Sequence, residues 1–176
     1  MPLRSRLMSV VALAAVVALA GCDSNSSNNA LRDLDGSYAV SQLIFIPDAA
    51  ALDTVEVGAR LNTSVTRLEI FGEDGQVLFR NRFNDGSASR LTELTATASR
   101  GRATFTAATV EDEAELDDLF LPRVFTLLYN SDNPRGLSGE IRLSNVDLEA
   151  FDPDLYGGLQ PVDGTLEFSL SRTTGD

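Results

Sequence analysis

The chain has 176 residues, with 26 acidic side chains against 14 basic ones and a net charge of −12; every basic residue is Arg, and Lys, His and Trp are absent. That much negative charge argues against a nucleic-acid partner, because a polyanion would be repelled. A chain without His has no Ser-His-Asp triad and no histidine general base, and no Gly-rich phosphate loop with its Lys is present.

The first stretch, MPLRSRLMSVVALAAVVALAGC, opens with Arg4 and Arg6, runs almost purely apolar from Leu7 to Ala20 and closes on small residues. This is the layout of a secretory signal peptide. The apolar run is shorter than the about 20 residues a helix needs to cross the hydrocarbon layer, which disfavours a retained span. Cys22 is the only cysteine, so no disulfide forms within one chain. Leu19-Ala20-Gly21-Cys22 resembles the lipobox of bacterial lipoproteins. That resemblance implies a diacylglyceryl thioether on Cys22, cleavage before it, and a location in the bacterial cell envelope with membrane lipid as the first partner. A di- or triacylated cysteine supplies the more than one chain that stable anchoring needs. Asp23 stands where, in enteric bacteria, an Asp favours retention in the inner membrane; the rule varies between bacterial groups.

The reading therefore divides the chain into a cleaved segment 1–21, a lipidated cysteine and flexible tether 22–30, a domain 31–172 and a tail 173–176. The tether, DSNSSNNALRDLDG at its fullest, lacks the apolar residues that would offset the entropy of ordering it. Without Arg4 and Arg6 the mature part carries −14. Its many carboxylates and missing lysines resemble the surfaces of proteins from salt-loving organisms, where hydrated acids maintain solubility.

From Ser37 onward a two-residue alternation dominates, punctuated by Gly, Asn and Asp. It predicts strands over 37–46, 64–71, 76–83, 89–98, 102–110, 123–129, 136–143 and 164–172. Asp74-Gly75 between two apolar runs predicts a tight hairpin. Only 48–61, 111–120 and 145–158 have the composition of short helical turns. Eight short strands in succession predict an all-β fold, a single antiparallel up-and-down barrel, with a β-sandwich as the alternative. Closing the sheet removes its exposed edges, which favours the barrel. With LDGSYAVSQLIF at the first strand, where Tyr38 takes the place of the lipocalins' entry Trp, and GTLEFSLSR closing the chain, residues 31 to 172 look like a lipocalin-like bacterial lipoprotein.

An eight-stranded barrel is filled by its own side chains or holds one small ligand. Phe79, Asn81, Phe83 and Phe105 fall on alternating positions expected to point inward. They are therefore core residues or, on the sharper reading, the lining of a cavity for an apolar or amphipathic molecule, with Asn81 as its polar contact. Arg80 and Arg82 are then surface residues. The acidic run Glu111, Asp112, Glu113, Glu115, Asp117 and Asp118, with Asp33, Asp35, Asp152 and Asp154, has no calcium-loop spacing and reads as solvated carboxylate. No metal, cofactor or catalytic residue is expected. The functional expectation is a non-enzymatic envelope lipoprotein carrying a small amphipathic ligand; the alternative is a filled barrel acting as a structural or interaction module. A carboxylate-based hydrolase is the remaining third class.

Overall fold

The computed structural model describes residues 30–173; Cys22, the segment before it and most of the tether lie outside the described residues. Eight strands in chain order form a closed antiparallel barrel in which each strand pairs with its neighbours in sequence. They are β1 (Gly36–Pro47), β2 (Arg67–Phe71), β3 (Gln76–Asn81), β4 (Arg90–Ser99), β5 (Arg102–Ala107), β6 (Val124–Leu128), β7 (Gly136–Val146) and β8 (Val162–Arg172). The closed barrel is as the alternation predicts, and its architecture is lipocalin-like, as the resemblance implies. The β1–β8 ladder, from Tyr38 opposite Arg172 to Pro47 opposite Gly164, closes it.

Three differences from the expected strand bounds have local causes. β2 starts at Arg67 because Asn62 organises a turn before it: its Oδ1 accepts from the Ser64 N–H and hydroxyl, and its carbonyl from Val65 and Thr66. β3 ends at Asn81, and Phe83 pairs as an isolated bridge with Leu61. β5 ends at Ala107 because Thr109 caps helix α1 (Val110–Asp117). The other two expected helical stretches hold a 3-10 turn (Val57–Arg60) and the short helices α2 (Leu148–Phe151) and α3 (Pro153–Tyr156).

Parity explains the core. On β8 the buried residues are Gly164, Leu166, Phe168 and Leu170, while Glu167 and Ser169 look outward. On β1 a bulge between Val40 and Gln42 inserts Ser41, so the inward set shifts from Tyr38 and Val40 to Leu43 and Phe45. Without that extra residue, Leu43 and Phe45 would face water. Gly164 is required by packing: a Cβ there would stand 2.4 Å from the Phe45 ring and 2.6 Å from the Ile46 carbonyl.

The connections sort by length onto two ends. Residues 48–66, 82–89, 108–123 and 147–161 join strands at one end, here called the mouth. The other end, the base, has only 72–75, 100–101 and 129–135. Arg100 and Gly101, with φ of 51° and 75°, make the two-residue β4–β5 hairpin with both central residues left-handed, a turn whose twist matches that of the strands. The segment before β1 covers the base. Leu31 and Leu34 are buried there, the Gly72 N–H donates to Asp35 Oδ1 at 2.9 Å, and the Tyr38 hydroxyl donates to the Leu34 carbonyl at 2.9 Å. Arg172, on the last strand, stacks at 5.9 Å over the Tyr38 ring and donates to the carbonyls of Asp33 and Asp35.

Candidate functional site

The lumen comes first, because the lining expected from sequence lies in it. Phe79, Asn81, Phe83 and Phe105 are all buried, as their alternation indicates. They are surrounded by Tyr38, Phe45, Leu68, Ile70, Leu94 and Phe168, each fully or almost fully buried. Phe105 stacks on Phe125 at 5.2 Å, and Phe125 meets Phe168 at 6.1 Å, so aromatic rings span the lumen from β5 and β6 to β8. Arg80 and Arg82 are exposed.

Asn81 and Thr92 are exceptions to this apolar filling. Both are completely buried, and among the described residues neither the Asn81 amide group nor the Thr92 hydroxyl has a hydrogen-bond partner. Each such group costs about 1–3 kcal/mol. Phe79 is directly opposite Thr92 across the β3–β4 ladder and Asn81 is two residues on, so both polar groups sit at the mouth end. Above them Phe83 is held between two guanidinium groups, Arg60 at 5.8 Å and Arg90 at 5.6 Å from its centroid.

The described concave sites lie elsewhere. β6 and β7 share only the pair Leu128–Ser138, whereas β7 and β8 stay paired from Gly136 opposite Ser171 to Leu143 opposite Gly164. Gly139 carries the close approach at this seam: a Cβ would come within 2.9 Å of the Thr126 carbonyl. Where the two strands separate, a cleft of about 520 Å³ opens at the mouth. Its apolar wall includes Phe120, Leu121, Leu143, Val146 and Phe151. Phe120 packs edge-on against Phe45 at 5.5 Å and at a tilt against Phe151 at 5.1 Å. Two residues of the wall, Phe120 and Asn145, have left-handed backbones with φ of 59° and 57°, a conformation that is uncommon for a bulky side chain. A second, more polar groove of about 670 Å³ runs on the outer wall over Thr126, Ser138, Glu140 and Glu167.

The rim of the mouth cleft carries Arg60, Asp117, Asp118 and Asp147. Arg60 lies over the Phe151 ring, its Cζ 4.5 Å from the centroid, and donates to the Phe151 carbonyl at 3.4 Å. Asp118 is held by Arg90, which also binds Glu115 at 2.8 Å; Asp147 caps α2 through the Ala150 N–H. Asp117 enters no ion pair among the described residues. Partial burial, and then the nearby charges of Glu113 and Asp118, push its carboxyl above the ordinary range.

Elsewhere in the acidic run Glu111 is exposed, whereas Asp112 and Glu113 have structural contacts. Asp112, expected in solvent, is buried: it completes a capping box with Thr109 and accepts from the Glu93 N–H at 2.7 Å, fastening α1 to β4. The sequence carried that signal, a Thr three residues before an acid at the end of a strand. Glu113 pairs with Arg123 at 3.6 Å, and Asp152 caps α3. No group of three or more acidic, His or Cys side chains with metal-binding geometry occurs among the described residues. No helix among them is long and apolar enough to cross a membrane. No family model, no curated protein and no solved structure matches the chain.

Proposed function

We propose that the chain is a bacterial envelope lipoprotein, non-enzymatic and held by acylated Cys22, whose packed barrel is a scaffold that presents its mouth to other molecules. The observation that carries this reading is the placement of space. The lumen is occupied by aromatic and aliphatic side chains, while the clefts lie at the mouth and on the outer wall. An interior at normal packing density has no room for cargo.

The direction of the chain supports the anchoring half. The segment leading to Cys22 joins the domain at the base, so an anchored barrel turns its base to the lipid and its mouth away. Many outward positions of the strands, among them Arg80, Glu93, Thr95, Arg102, Glu140 and Glu167, are polar or charged, while the exposed apolar residues Ile46, Phe71, Leu91, Val124 and Leu128 sit at or next to strand ends. A lipid-spanning barrel has the opposite pattern, with an apolar outer band. The carrier reading retains one point in its favour, the unpartnered Asn81 and Thr92.

The test is a titration of the domain, released from its membrane through a protease site placed in the tether, with a fluorescent fatty acid. No saturable uptake is expected; saturable uptake would restore the carrier and overturn the scaffold. The anchor is tested separately with Cys22→Ser, which is expected to abolish the diacylglyceryl mass increment on the mature amino terminus.

A further inference from the structure

We infer that the mouth cleft binds a small amphipathic cation, an aromatic or alkyl body carrying one ammonium or guanidinium group, with the body on Phe120 and Phe151 and the charge beside Asp117. The inference rests on the scaffold reading above and names the ligand class of its mouth.

Size and surface set the first requirement. A cleft of about 520 Å³ falls in the range of small-molecule sites, and its wall of two aromatic rings with Leu121, Leu143 and Val146 suits an apolar body. A neutral apolar molecule would leave the rim unused, so the sign of charge decides the class. Three of the four charged rim residues are carboxylates, and the chain around them carries −12. Among the described residues the one cation on the rim, Arg60, is committed to the Phe151 ring and carbonyl.

The carboxylates differ in how far they are already neutralised. Arg90 serves Asp118, and Arg123 serves the neighbouring Glu113. The Asp147 carboxylate is engaged as a helix cap. Asp117 alone on this rim has neither a cationic partner nor a capping role among the described residues, and it stands beside like charges. An incoming cation gains the attraction of Asp117 and relieves its repulsion from Glu113 and Asp118, while an anion meets all of them. The aromatic rings of Phe120 and Phe151, which line the same cleft, add cation–π attraction. The wider negative field raises the local concentration of cations and accelerates their arrival.

The experiment uses the chain as its host processes it, isotope-labelled and held in zwitterionic bicelles. Three probes share one phenylpropyl tail: the trimethylammonium, the alcohol and the sulfonate. Amide resonances of 117–121 and 143–151 report the site. The ammonium is expected to shift them saturably, to bind at least about fivefold tighter than the alcohol, and to weaken as NaCl rises. Asp117→Asn, a near-isosteric change at a carboxylate with no ion pair among the described residues, is expected to remove most of that preference. Equal or tighter binding of the alcohol or sulfonate at those same amides overturns the cation and leaves the mouth as the recognition surface. Shifts centred instead on Phe79, Phe105 and Phe168 overturn both, because they place binding in the lumen. No saturable shift with any probe overturns the proposal.

Discussion

The two ends of this barrel solve the same problem in opposite ways. At the base, turns are short and a segment from outside the sheet seals the opening: Leu31 and Leu34 bury themselves, and Tyr38, Asp35 and Arg172 satisfy the backbone groups around them. At the mouth, four long connections fold over the opening without closing it; Phe120, Phe151 and Arg60 stack in layers around a cleft. The difference shows that closure costs little where hydrogen bonds and apolar burial coincide, and that the mouth forgoes this coincidence in the region where it keeps open space. Strain follows the same division, since Phe120 and Asn145 hold left-handed backbones at the mouth, whereas at the base a non-glycine left-handed residue, Arg100, sits in a turn that calls for one.

Substitutions at the two ends test this contrast. The largest effect is expected at the base, where Leu34→Ala empties a fully buried site and lowers stability by about 2–5 kcal/mol; the half-buried Phe151→Ala at the mouth should cost about 1 kcal/mol, both read by urea denaturation. Equal losses would dissolve the distinction. Gly72→Ala comes next, at about 1–3 kcal/mol, because the new Cβ would lie 2.6 Å from the Arg32 Cα and 2.8 Å from the Leu31 carbonyl; protease sensitivity after Arg32 should rise with it.

A gain is expected inside the mouth end of the lumen. Asn81→Leu removes a buried amide with no partner and should stabilise the fold by about 1 kcal/mol in the same assay. A loss there would show that Asn81 is engaged. The smallest effect belongs to Asp117. Its carboxyl is raised in the folded chain, so the penalty of ionising it is fully present above the folded value and vanishes below the ordinary carboxylate value of about 3.9. Asp117→Asn should therefore raise the thermal midpoint slightly at pH 7 and leave it unchanged at pH 3.

Much of this was legible beforehand. Alternation of Leu166, Phe168 and Leu170 announces a strand because period two is imposed by the pleat, whatever the partner strand is. The inward placement of Phe79, Asn81, Phe83 and Phe105 follows from the same rule. The seal at the base was not legible: Leu31 and Leu34 open the expected domain in a polar stretch without strand alternation, and only proximity to Tyr38 and to Arg172 on the last strand makes them core. The mouth cleft was hidden for a similar reason. Arg60, Asp117, Phe120 and Phe151 come from three separate connections, and no spacing along the chain brings them together. The burial of Asp112 could have been read from its cap, but its bond to Glu93 depends on where β4 passes.

The pairing of β1 with β8 also fixes an order of events. A chain synthesised from its amino terminus presents β1 first and β8 last, and the two must meet before either has its full set of partners. Contacts so distant in sequence form slowly. Until Arg172 emerges, the newborn protein holds an open sheet, its apolar face uncovered and its base unlatched. Arrival of β8 beside β1 is the event that closes the barrel.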